Sequence, residues 1–183
     1  IEDCYDPSLY PGRSITEDTY GENINWFIDA GVDVILFETM GHLEEIEIAL
    51  ETVKDLDHKV WLSLIMKDKD HILSGHDIND VFMLCDKNID CLMLNCNTIA
   101  KTNETLEIIK DNWINSWGVY PNLGLSEPEP DGEIEEKVQE TDFKKTILSY
   151  LKMNPKIIGS CCGSSPIHIK MIKEIKEQLF LSD

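Results

Sequence analysis

Five apolar runs of strand length alternate with helical patterns along the 183 residues, and this alternation is the strongest restriction on the fold. Between the runs, apolar residues recur with the three- and four-residue spacing of an amphipathic helix. Strands that alternate with helices pair in parallel through right-handed crossovers. The sequence therefore predicts an α/β protein whose parallel strands cover residues 32–37, 60–65, 91–94, 117–120 and 156–159.

Helix boundaries follow from capping residues and from apolar spacing. Thr16 is the predicted N-cap of a first helix that runs to Ala30, and Gly31 is its predicted stop. A second helix is predicted near residues 43–53, and others at about 77–87, 101–111 and 142–152. Residues 125–140 combine prolines with many acidic side chains, which predicts a mobile loop.

Two architectures fit this order of elements. A doubly wound sheet suits the length, whereas an eight-stranded barrel normally needs about 250 residues, so this chain would be only part of one. Length by itself favours the doubly wound sheet. Both architectures place function at the carboxyl ends of the strands, and the residues at those ends therefore receive most attention below.

Charge and composition exclude several classes of function. The formal net charge is -19 with a single arginine, Arg13, so no basic surface is available for nucleic acid. The longest apolar run, residues 81–85, is far too short to span a bilayer, and no basic-then-apolar leader opens the sequence. We expect a cytoplasmic protein that binds neither nucleic acid nor membranes, and six irregularly spaced cysteines that stay reduced.

Residues 157–166 form an apolar strand, a glycine-bracketed cysteine pair and a helix start at Ser165 and Pro166. Gly159 and Gly163 are predicted to permit the turn that brings the neighbouring thiols of Cys161 and Cys162 to one point. A third cysteine, Cys96, follows the strand at 91–94. Three thiolates at strand ends could bind zinc and leave its fourth tetrahedral position for a substrate.

Simpler interpretations of the same residues remain open at this stage. Free cysteines are often small buried apolar residues, and we interpret Cys4, Cys85 and Cys91 in this way. The helix start after Gly163 could cradle a phosphate, although no Walker lysine follows it. Glu38 at a strand end could be a solvated carboxylate or, in a cleft, the partner of a substrate ammonium group.

Four motifs in order resemble one family. Residues 159–166, GSCCGSSP, resemble the glycine-glycine-cysteine-cysteine-glycine signature of the homocysteine S-methyltransferase family, with Ser160 in place of the second glycine. The other three are the asparagine-cysteine strand end at 94–96, the mid-barrel strand at 30–33 with 37–39, and the seventh-strand motif at 120–124. The likeness covers almost the whole chain.

The resemblance implies a zinc-dependent (β/α)8 TIM barrel that transfers a methyl group to homocysteine and so forms methionine. It implies zinc as cofactor, with Cys96, Cys161 and Cys162 as ligands, and a substrate site with Glu38 at the homocysteine amino group and with Thr39 and Asn95. Methyl donors in the family include S-methylmethionine, S-adenosylmethionine, betaine and methyltetrahydrofolate. The sequence does not select one of them.

The chain also departs from the family pattern. Family members begin with three further strand-helix units, whereas residues 1–183 match strands four to eight only and are expected to form one domain without those units. The chain is then either a fragment of a longer reading frame or a naturally short relative. The alternative function is a truncated, non-catalytic zinc-binding or interaction chain. An open partial barrel exposes two strand edges, and we therefore expect self-association.

Overall fold

A computed structural model describes residues 5–85, 88–126, 134 and 136–181. Its five strands are all parallel and lie in sequential order. This order confirms the predicted parallel sheet and excludes the doubly wound alternative, in which the strand order reverses at a switch point. The strands are β1 (Val34–Met40), β2 (Lys59–Leu64), β3 (Cys91–Asn95), β4 (Trp117–Tyr120) and β5 (Ile157–Ile158).

The helices connect the strands as predicted, with shifts of a few residues at their ends. The predicted stretches near 87, at 127–133 and at 135 lie outside the described residues, as does Cys4. The helices are α1 (Arg13–Ala30), α2 (Leu43–Val53), α3 (Ile78–Cys85), α4 (Ile99–Asn112), α5 (Glu140–Lys152) and α6 (Pro166–Phe180), and a 3-10 turn covers Pro7–Leu9.

The start of α1 differs from the prediction. The helix begins at Arg13 after Gly12, and Thr16 lies buried in its first turn. The Thr16 hydroxyl donates to the carbonyl of Gly12 at 3.1 Å, so it bonds backward along the helix and the predicted N-cap was wrong. The predicted stop is confirmed, because Gly31 ends α1 with a φ of 74°.

All the helices pack on one face of the sheet. Alternate strand residues such as Ile35, Leu62, Leu94 and Val119 belong to the hydrophobic core shared with the helices. Their neighbours along each strand point to the opposite face, because side chains alternate across a strand. With helices on one side only and strands in sequential order, the sheet has the arrangement of part of a barrel.

A hydrogen bond across the helix-free face shows how strongly the sheet curves. The Tyr120 hydroxyl on β4 donates to the Glu38 carboxylate on β1 at 3.0 Å. In a flat sheet the two strands would lie three spacings apart, about 14 Å. The side chains therefore meet because the sheet bends around them, and we call this helix-free side the concave face.

The described residues include no helix that is both long enough and apolar enough to cross a membrane.

Gly118 on β4 provides a test of packing on the concave face. A Cβ atom there would lie 2.9 Å from Ile157 Cβ and 2.9 Å from Met93 Cγ. We predict that Gly118→Ala lowers the free energy of unfolding by about 1–3 kcal/mol in urea titrations, because the added methyl overpacks these contacts.

The matched control is Gly21→Ala in α1, where an added Cβ meets nothing within 4 Å. This substitution should raise stability by up to about 1 kcal/mol, because alanine is the better helix former. Equal effects of the two substitutions would contradict the close packing of β4 against β5.

Candidate metal and substrate site

Three cysteine sulfur atoms converge at the carboxyl ends of β3 and β5. Cys162 Sγ lies 3.5 Å from Cys96 Sγ and 4.0 Å from Cys161 Sγ. The three atoms all lie within 4.8 Å of one another. Cys96 is buried and Cys162 is exposed, so the cluster extends from the protein interior to solvent.

The backbone around the cluster leaves regular strand geometry. Cys96 has a φ of 52°, in the left-handed region that non-glycine residues rarely adopt. Gly163 has a φ of 76° and makes the predicted turn after the cysteine pair. Gly159 does not have a positive φ, and its role differs from the prediction: a Cβ there would lie 3.1 Å from Tyr120 Cβ, so glycine permits a close approach between strands.

Cys96 and Cys161 are joined by a disulfide, with their Cα atoms 5.5 Å apart. This corrects the expectation that all the cysteines are free thiols. The expectation of free thiols rested only on the redox state of the compartment. The fold brings these two strand ends to a distance at which a disulfide can form. A metal can use both sulfur atoms only after this disulfide is reduced.

The remaining described cysteines have the packing role that the sequence predicts. Cys85 and Cys91 are buried. Burial raises the pKa of the Cys85 thiol to about 12 and that of Cys91 to about 11. Both side chains are therefore protonated at neutral pH, and neither lies in the sulfur cluster.

Two buried asparagine side chains hold the strand ends around the cluster. Asn97 accepts from the Met66 N–H at 2.7 Å and donates to the carbonyls of Leu64 and Asn95 at 3.1 and 3.0 Å. Asn122 donates to the carbonyl of Cys96 at 2.8 Å. These bonds connect the ends of β2, β3 and β4 and fix the backbone conformation at Cys96.

The predicted substrate residues Thr39 and Asn95 bind each other. Asn95 Oδ1 accepts from the Thr39 N–H at 3.1 Å and from the Ser63 hydroxyl at 2.6 Å, and Asn95 Nδ2 donates to Thr39 Oγ1 at 2.7 Å. Thr39 has a φ of 59°. The Asn95 amide thus holds an unfavourable backbone conformation in place, and its contact with substrate stays a prediction.

Glu38 lies on the concave face with an exposed side chain and accepts the hydrogen bond from Tyr120. Burial raises the pKa of the Tyr120 phenol well above its usual range, so the hydroxyl stays protonated and acts as the donor. The carboxylate is left with free acceptor capacity toward solvent. That is what a ligand for an ammonium group requires.

The sequence model of the homocysteine S-methyltransferase family matches residues 2–176. The chain belongs to this family. Its sequence is 25% identical over 175 residues to homocysteine S-methyltransferase 3 of Zea mays, covering 91% of this chain and 51% of that protein. The chain thus spans about half the length of the curated relatives it matches.

Solved structures show the fold of the family. The crystal structure of the apo form of the homocysteine methyltransferase MmuM from Escherichia coli superposes with a TM-score of 0.75 at 21% identity, covering 92% of this chain and 59% of MmuM. The metallated form superposes with a TM-score of 0.74 at 21% identity, covering 94% and 56%. The fold is that of part of a TIM-barrel enzyme, as the resemblance implied.

Sequence reasoning missed Asn97, Ser63 and Tyr120 as residues of the site. Asn97 follows directly after a strand end, which was the available signal, but its bonds reach back to residues 64 and 66. The side chains of Ser63 and Tyr120 lie on the concave face because side chains alternate along a strand. Their hydrogen-bond partners lie in other strands, and only the curvature of the sheet brings those partners within reach. In this family member, polar side chains beside the predicted ligands organise the site.

Replacing Asn97 should disturb the whole site. We predict that Asn97→Ala lowers the free energy of unfolding by about 1–3 kcal/mol, because it removes the acceptor of the buried Met66 N–H and a donor to the Leu64 carbonyl. Urea titration measures this effect. The control is Asn112→Ala at the exposed end of α4, where the amide donates to the carbonyl of Ile108, its one side-chain hydrogen bond among the residues that the structure covers, and no loss above about 0.5 kcal/mol is expected.

Proposed function

We propose that this chain carries the zinc and homocysteine site of a methyltransferase that forms methionine. The observation that carries the proposal is the convergence of the sulfur atoms of Cys96, Cys161 and Cys162 at the carboxyl ends of two strands. Membership of the family and the likeness to a metallated homocysteine methyltransferase support it. The proposed reaction needs reduced thiols, so we place it in a reducing compartment such as the cytoplasm.

The sulfur geometry suits zinc. Tetrahedral zinc with bonds of about 2.3 Å to sulfur requires neighbouring sulfur atoms about 3.8 Å apart. The distances from Cys162 to the other two sulfur atoms, 3.5 and 4.0 Å, lie on either side of that value. Reduction of the Cys96–Cys161 disulfide frees the remaining sulfur pair to separate to the same distance.

The donor set also suits the chemistry. Zinc, when bound, lowers the pKa of a coordinating thiol and keeps its sulfur nucleophilic at neutral pH. In the transfer, a bond forms between the homocysteine sulfur and the methyl carbon while the bond from that carbon to the donor breaks, and the thiol proton leaves to solvent. Three cysteine ligands leave a fourth position open, and the exposed side of Cys162 marks where the substrate would enter.

The concave face supplies the contacts for the amino-acid part of the substrate. We propose that the Glu38 carboxylate binds the homocysteine ammonium group, since it is exposed and accepts only one described side-chain hydrogen bond. Thr39 and Asn95 would support this contact by holding the end of β1. The nature of the methyl donor is left to experiment.

Metal analysis tests the ligand set. After reduction and zinc loading, the protein should contain about one zinc per chain, and Cys96→Ala, Cys161→Ala and Cys162→Ala should each lose most of it, because each removes one of three thiolates. Zinc loading without reductant should also give a low content, because Cys96 and Cys161 are then joined.

The control for these substitutions is Cys91→Ala, which removes a buried thiol outside the cluster and should leave the zinc content unchanged. Full zinc content in the Cys161→Ala and Cys96→Ala variants would refute this ligand set.

A second candidate function is a non-catalytic zinc-binding or interaction chain of the same fold. Two observations favour it: the chain spans about half the length of its relatives, and β1 and β5 are the edges of the described sheet. Leu36 on the concave side of β1 is 39% exposed. We propose that residues 1–183 form one domain equivalent to strands four to eight, and that its open edges self-associate.

Methionine formation separates the two candidates. The reduced, zinc-loaded chain is assayed with homocysteine and each donor class, and its mass is measured by light scattering over a range of concentrations. We expect association at high concentration and slow but measurable turnover, because catalysis needs both reactants held in near-attack geometry. Rapid turnover by a monomer would contradict the second candidate, and zinc loading without turnover for any donor would contradict the first.

A further inference from the structure

Tyr120 contacts both ends of the proposed substrate site. It is the last residue of β4, and its hydroxyl donates to Glu38 Oε1 at 3.0 Å. Its backbone carbonyl accepts from the N–H of Cys96 at 3.3 Å. One residue therefore joins the strand end that carries a proposed zinc ligand to the carboxylate proposed to bind the substrate ammonium.

The neighbouring strand fixes the position of the tyrosine. Residue 159 lies so close to it that a Cβ atom there would be 3.1 Å from Tyr120 Cβ, and only glycine fits without a shift. The ring extends from β4 across the concave face, past β3 and β2, to reach β1. Its hydroxyl is thus held in place by the fold before any ligand binds.

Glu38 depends on this contact for its position. Its side chain is exposed, and within the described part of the chain its one side-chain hydrogen bond comes from Tyr120. An exposed carboxylate without a partner samples several rotamers at little cost. With the phenol as donor, Oε1 is fixed, and the described residues give the second carboxylate oxygen no hydrogen bond, so it can accept one from a ligand.

We propose that Tyr120 is a positioning residue that fixes the Glu38 carboxylate over the concave face, and thereby selects thiols that carry an α-ammonium group. The inference rests on the proposed function, because it takes the sulfur cluster as the thiol end of the site. It adds a specificity residue that touches the acidic ligand and not the reacting sulfur atom.

The test compares two thiols that differ only in the amine. Homocysteine and 4-mercaptobutanoate have the same sulfur-to-carboxylate chain, and isothermal titration calorimetry gives the affinity of each for the reduced, zinc-loaded chain. The wild-type chain should prefer homocysteine. Tyr120→Phe should reduce that preference about three- to tenfold, the size expected for one lost hydrogen bond, with unchanged zinc content and unchanged affinity for 4-mercaptobutanoate.

Three further variants exclude a merely structural effect. Glu38→Gln should abolish the preference, and Tyr120→Phe should change nothing further in that background, because both substitutions act on one contact. The matched control is Tyr150→Phe, which removes a partly buried hydrogen bond of 2.8 Å to Asn103 and should leave the preference unchanged.

The possible results separate this inference from the proposed function. If Tyr120→Phe keeps the full preference of the wild type, or if the wild type binds both thiols equally, the inference is overturned while thiol binding at the cluster stands. If the wild type binds neither thiol, the proposed function itself fails, and the inference fails with it.

Discussion

The site depends on the hydrogen bonds that buried asparagine side chains make to the backbone at the strand ends. Asn97 bonds to backbone groups of β2, β3 and the segment after β2, and Asn122 bonds to the backbone of Cys96. Buried hydrogen bonds of this kind are costly to leave unmade. They hold in place the left-handed backbone at Cys96, which would otherwise be unfavourable.

The site follows from that fixed backbone together with the curvature of the sheet. A regular strand would place Asn95 and Cys96 on opposite faces, but the left-handed residue at the strand end turns the chain. The sulfur of Cys96 then meets those of the cysteine pair after β5, while Asn95 faces the concave side and bonds to Thr39. Curvature brings Glu38 and Tyr120 together over the same face.

Much of this could be predicted from the sequence because it depends on local signals. The alternation of apolar runs indicated the strands and their parallel pairing, and the glycines and strand ends indicated where Cys96 and the cysteine pair would meet. Local sequence signals could not distinguish a doubly wound sheet from part of a barrel. That distinction required the family resemblance, because both architectures share the same order of elements.

The parts that could not be predicted depend on distances between elements. The hydrogen bond between Glu38 and Tyr120 joins residues 82 positions apart and requires the curvature of the whole sheet. The disulfide between Cys96 and Cys161 likewise depends on how closely two strand ends approach. The early start of α1 had a different cause, since a threonine hydroxyl can bond backward inside a helix as well as cap it.

X-ray absorption at the zinc edge tests the central claim most directly. The reduced, zinc-loaded chain should show three sulfur neighbours at about 2.3 Å, and saturation with homocysteine should raise the number to four. This result would establish that the three cysteines bind zinc and leave a position for the substrate thiol. A metal surrounded mainly by nitrogen or oxygen, or three sulfur neighbours before and after homocysteine, would contradict the account.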